Sequence, residues 1–95
     1  MEKRVKIPMV ADLKSAISMY YEKIELTTKD IRELFNCSKS KAFDLKTIAR
    51  QKEFEDGVKV WDASRINTQS AFKAWGFDIE DLESRYSKLR KLKVI

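Results

Sequence analysis

Residues 30–45 read DIRELFNCSKSKAFDL, and the fold turns on how this stretch divides. Just upstream, Thr27, Thr28, Lys29 and Asp30 supply an oxygen-bearing cap followed by an acid in the first turn, the pattern that satisfies the unpaired N–H groups of a helix start. A short helix is expected over Thr28–Phe35, with Ile31, Leu34 and Phe35 on one buried face. Asn36 then ends it, because asparagine tolerates positive φ better than other non-glycine residues, and Ser38 caps the next helix at once. That helix runs from Lys39 to about Lys52 and buries Ala42, Leu45, Ile48 and Ala49. Two helices that cross at roughly 90–120° through so short a turn need a permissive residue in the turn and a small one where they touch. Asn36 meets the first need and Ala42 the second.

Outward from this pair, the pattern stays helical. On the N-terminal side, after the basic start Lys3, Arg4 and Lys6, Pro8 suits a first helical turn. Apolar residues then recur at Met9, Leu13, Ala16, Ile17 and Tyr20, so a helix is expected from about Met9 to Glu22. On the C-terminal side an acidic stretch, Glu53 to Asp56, leads to a turn at Gly57. Val58, Lys59, Val60 and Trp61 alternate as a half-buried strand does, with Asp62 to Ser64 as a loop and Arg65 and Ile66 as the returning strand. Asn67 or Thr68 caps a fourth helix that carries Ala71, Phe72 and Trp75 and stops at Gly76. Asp78, with Asp81 in the capping-box position, opens a fifth helix, 78–92, with Ile79, Leu82, Tyr86 and Leu89 on one stripe. The expectation is a mainly α domain over 1–95, of about five helices with a short β-hairpin.

Composition narrows the function. A 95-residue chain, 43% hydrophobic and 37% charged, supports one core, and its two glycines and one proline are too few for an all-β domain of many turns. With no histidine and the single Cys37, the chain lacks the usual nitrogen and sulfur zinc ligands, an internal disulfide and the base of most Ser or Cys triads. No catalytic, cofactor or metal residues are therefore assigned, and neither an enzyme nor a small-molecule substrate is expected. Asp12 and Lys14 interrupt Met9 to Ile17, so neither a signal peptide nor a membrane span is read there, and a cytoplasmic protein is expected. A net charge of +5 and a pI near 9.4 suit a polyanionic partner without requiring one.

Over Thr27 to Arg50 the chain resembles the DNA-binding helix-turn-helix family, and more loosely its winged, excisionase-like and MerR-like members encoded by phages and mobile elements. Where such turns commonly read Gly-Val-Ser, this chain has Asn36, Cys37 and Ser38. The resemblance implies sequence-specific binding of double-stranded DNA by a transcriptional regulator or excisionase-like factor. It places Lys39, Ser40 and Lys41 at the N-terminal end of a recognition helix, where side chains reach base edges or phosphates. Asp44 would accept from a cytosine amino group, and Lys46 would join the reading face. Phe43 would pack on a wing or touch a thymine methyl, and Arg50 and Lys52 would hold phosphates. The segment Val58 to Trp75 resembles a wing and its following helix, with Lys59 and Arg65 as the basic candidates.

Each feature also has a plainer reading. The lysines and arginine of the third helix would suit any solvated face, Trp61 and Trp75 suit core packing, and Cys37 suits a small buried filler. The acidic start and basic end of the fifth helix complement its own dipole, while its apolar stripe serves either the core or a homodimer seam. The alternative function is a protein-interaction module within a phage replication, packaging or transcription complex.

Overall fold

A computed structural model of the chain describes residues 7–60 and 62–93. These residues form, in order, α1 (Leu13–Glu22), β1 (Glu25–Leu26), α2 (Thr28–Phe35), α3 (Lys39–Glu55), β2 (Ile66–Asn67), α4 (Thr68–Ala74) and α5 (Ile79–Lys93). The mainly helical architecture with one short antiparallel strand pair matches the expectation from sequence, and α2 occupies its expected range.

Local chemistry sets the ends of α2 and α3. The Thr27 hydroxyl accepts from the Asp30 N–H at 3.2 Å while the Thr27 N–H donates to the Asp30 carboxylate at 2.9 Å, a reciprocal capping box. Lys23 adds an ion pair to Asp30 at 3.0 Å. Burial works against the ionised Asp30, but the hydrogen bonds from Thr27 and Lys23 outweigh it and hold the carboxyl below its ordinary value. At the other end of α2, Asn36 sits at φ 50°, ψ 53°, and its N–H donates to Arg32 O. Ser38 is back in extended backbone, and its Oγ accepts from the Lys41 N–H at 3.2 Å to open α3. Only Asn36 to Ser38 lie between the two helices.

The core lies between α3 and the elements around it. Ala42, Leu45 and Ala49 of α3, Ile31 and Leu34 of α2, Ala71 and Phe72 of α4, and Leu82 of α5 are all buried. Trp75, just past α4, packs edge-on against Phe35 with ring centroids 5.1 Å apart, and its Nε1 donates to Leu45 O at 2.9 Å. The polar end of this large side chain is thereby satisfied inside the core. Tyr20 of α1 meets Phe72 at 5.2 Å, and α1 also lies along α5.

Four elements differ from the sequence expectation: α3 runs past Lys52 to Glu55, and three others change more. The first helix begins at Leu13 rather than at Met9. Asp12 caps it by accepting from the Ser15 N–H and hydroxyl, at 3.3 and 2.7 Å, and it is Val10, outside the helix, that reaches the core, while Met9 is 49% exposed. Ile66 does lie in a strand, but its partner is β1 and not Val58–Val60: Leu26 pairs with Ile66 and Glu25 with Asn67. That pairing buries Leu26 and Ile66 completely, whereas Val60 stays 47% exposed. The strand expected over Val58–Trp61 is thus replaced by irregular backbone over 58–60, and Trp61 lies outside the described residues, as do the basic residues Lys3, Arg4 and Lys6. In α5 the apolar stripe leaves the core partway: Leu82 is buried, but Leu89 is 38% and Leu92 78% exposed.

Because Asn36 holds a left-handed conformation that costs a side-chain-bearing residue about 1–2 kcal/mol, more with a β-branch, Asn36→Gly should leave stability unchanged or raise it. Asn36→Val should lower it by at least about 1 kcal/mol. Urea denaturation of the three proteins measures the order.

Candidate nucleic-acid interface

The third helix is two-sided. Its inner face, Ala42, Leu45 and Ala49, is fully buried. Its outer face exposes Lys39, Ser40, Phe43, Thr47, Gln51 and Phe54. The steps of four from Lys39 to Gln51 keep these residues on one side over successive turns. No acid occupies the first turn, so Lys39 and Lys41 add their charge to the positive end of the helix dipole. Lys41 and Asp44 are half-buried at the edges of this face. A groove lined by Thr47, Ile48, Gln51, Lys52, Glu55 and Ala74 runs beside the C-terminal part of α3.

The remaining basic candidates have other work. Lys46 donates to Ser64 O at 2.8 Å. The Arg50 guanidinium donates to Ala63 O at 2.9 Å and Arg65 O at 2.6 Å, and lies 2.8 Å from Glu53. Glu53 is 2% exposed, and its second carboxylate oxygen accepts the Asn67 N–H at 2.8 Å. One arginine and one glutamate, a turn apart on α3, therefore tie the helix to the 62–65 turn and to β2. The resemblance assigns Arg50 to a phosphate; in the fold its guanidinium is engaged by these internal partners. Asn67 completes the link, since its side chain accepts the Ser70 N–H at 2.9 Å and caps α4.

The turn over 62–65 is internally organised as well. The Asp62 carboxylate accepts from the Ser64 hydroxyl at 2.7 Å and the Ser64 N–H at 2.9 Å, which hold its pKa below the ordinary value, and Arg65 lies 3.7 Å away. Lys59 is exposed on the irregular segment that leads there. Lys52 pairs with Asp56 at 3.4 Å at the far end of α3.

The sequence-derived site residues thus fall into two groups. Lys39, Ser40, Lys41 and Asp44 gather on the first turns of α3, with Phe43 among them. Lys46, Arg50 and Arg65 surround the 62–65 turn, with Lys52 and Lys59 apart from both. Sequence reasoning missed Thr47, Gln51 and Phe54 on the outer face, although the spacing of four from Lys39 and Phe43 carries the signal for the first two. It also missed Glu53, whose signal is its position three residues after Arg50 on the same helix.

Among the described residues, no group of three or more His, Cys, Asp and Glu side chains is placed to hold a metal ion, and no helix is long and apolar enough to cross a membrane. Comparison with protein-family models, curated proteins and solved structures returns no match. The helix-turn-helix likeness therefore stands on residues Thr27 to Arg50 themselves.

Arg50→Ala strands the buried Glu53 charge. It should cost about 2–3 kcal/mol in urea denaturation, below the ~3–5 of a fully buried pair because the Arg50 side chain is 30% exposed. Glu53→Gln, which keeps an acceptor for the Asn67 N–H, should cost less than Glu53→Leu. Unchanged stability in Arg50→Ala would return that arginine to the pool of ligand-binding cations.

Proposed function

We propose that the chain is a sequence-specific double-stranded DNA-binding protein that reads the major groove with the N-terminal half of α3, as a regulator or excisionase-like factor. The observation that carries this reading is the two-sidedness of α3. The helix follows α2 through a three-residue turn with Asn36 in the left-handed region, its inner face is core, and its outer face presents Lys39, Ser40 and Phe43 to solvent. A helix held in this way on a rigid partner can enter a groove about 12 Å wide without rearrangement.

The roles divide by position. Lys39 and Ser40 stand where side chains reach base edges, and Lys41 stands where a cation meets the flanking phosphates. Asp44 would accept from a cytosine amino group. Lys46 and Arg50 act by fixing the 62–65 turn against α3, which brings Arg65 to the side of the helix as a further phosphate ligand; Lys59, on the exposed segment before that turn, would add another. Lys52, on the last turns of α3, meets phosphate at the periphery. Pairing of two copies through α5, whose Leu89 and Leu92 are exposed, would present two such helices to a symmetric site.

A second reading has its own support. Phe54 is 82% exposed on the same side of α3 as Phe43, and such aromatics also anchor protein partners. Ionic strength separates the two, because phosphate neutralisation releases counterions and an apolar interface does not.

Retention of duplexes from a random-sequence pool, at low and at near-physiological salt, tests the proposal. An enriched motif is expected. Replacing Lys39 and Lys41 by alanine should weaken binding to it by on the order of 1–3 kcal/mol for each base edge that the lysines read. The same replacement should lower the salt slope by about 0.9 for each phosphate that they neutralise. Retention of no duplex at low salt would reject the proposal in favour of the protein-interaction module.

A further inference from the structure

The outer face of α3 presents apolar surface beside its charge. Phe43 is 66% exposed, one turn beyond Lys39 and off the buried stripe of Ala42, Leu45 and Ala49. A ring left in water forgoes the burial that makes phenylalanine useful to a small core. One turn further on, the Thr47 hydroxyl donates to Phe43 O at 2.9 Å. Its single proton is committed to the helix backbone, so Thr47 offers this face a methyl group and no hydroxyl donor. A ring and a methyl group thus lie one turn apart, immediately behind the Lys39 and Ser40 side chains.

The major groove offers one apolar feature among its base edges, the C5-methyl group of thymine; the other edges are hydrogen-bond donors and acceptors. An apolar pair behind a polar pair on one helix face is complementary to a thymine flanked by bases read through hydrogen bonds. We infer that Phe43, with Thr47 beside it, determines specificity in the DNA interface proposed above, and that the preferred duplex holds a thymine whose C5-methyl packs against the Phe43 ring. This inference rests on the DNA-binding reading and adds to it the identity of a base.

The test uses the full chain and duplexes retained from the random pool. Each thymine of the enriched site is replaced in turn by deoxyuridine, which removes the methyl group and keeps the base pair and the O4 acceptor. At one position, or two adjacent ones, affinity should fall about threefold to tenfold, the scale of one buried methyl-sized group and its neighbours. In Phe43→Ala the same replacement should have no further effect, because the surface that senses the methyl group is gone. The Phe43 ring is outside the core, so this variant should unfold at the wild-type urea concentration; Phe43→Leu, which keeps an apolar side chain, should keep part of the discrimination. An enriched site at which every deoxyuridine replacement is neutral would overturn the inference and leave DNA binding standing. Full thymine discrimination retained by Phe43→Ala would do the same. Retention of no duplex by the wild-type chain would overturn both and assign the aromatic face to a protein partner.

Discussion

The left-handed backbone at Asn36 is the constraint on which the rest of the molecule depends. With only Asn36 to Ser38 between α2 and α3, the change of direction is made by one positive-φ residue, held by an N–H bond to Arg32 and followed at once by the Ser38 cap. A longer or slacker connection would let α3 choose its own angle. Here the turn fixes the angle, and the inner surface of α3 packs against α4 and β2. The same geometry turns the opposite side of α3 outward, so packing and exposure are two results of one turn.

A second restraint acts at the other end of α3. Glu53 is buried with its charge, which would be costly alone; Arg50 and the Asn67 N–H share that cost and convert it into positional information. Arg50 at the same time holds the carbonyls of Ala63 and Arg65. The charged side chains of α3 therefore divide by job. Lys39, beside the Ser38 cap, is exposed to solvent, and Lys46 and Arg50, two to three turns later, fasten a neighbouring segment. Basic composition along the helix does not reveal this division, because an arginine that braces a turn and one that holds a phosphate look alike in a sequence.

The parts of the fold that were legible are those governed by chemistry within a few residues. Thr27 with Asp30, Asn36, Ser38, Asn67 and Gly76 all mark their helix ends correctly, and α2 falls on its expected range as a result. The parts that were not legible depend on distant partners. Val58 to Val60 alternates like a strand, but β2 is claimed by Glu25–Leu26, across both α2 and α3, because that pairing buries Leu26 and Ile66. The extension of α3 beyond Lys52 accompanies the interior role of Glu53, whose place at the head of an acidic stretch hides that role behind the one sign of it, the spacing of three from Arg50. In α1 a permissible Pro8 was outweighed by the stronger cap at Asp12. At the candidate site, the first turns of α3 were read from the motif alone, whereas the engagement of Lys46 and Arg50 with residues 63–65 needed the tertiary structure.

Whether the Asn36 turn aims the first turns of α3 at DNA is read by a residue-resolved footprint: amide NMR shifts of the full chain during titration with a duplex carrying the enriched site. The largest changes should fall from the end of α2 through Thr47, with smaller ones at residues 62–65 and little change where α1 lies along α5. Changes concentrated on α1 or the exposed end of α5, with Lys39 to Thr47 undisturbed, would contradict that aim.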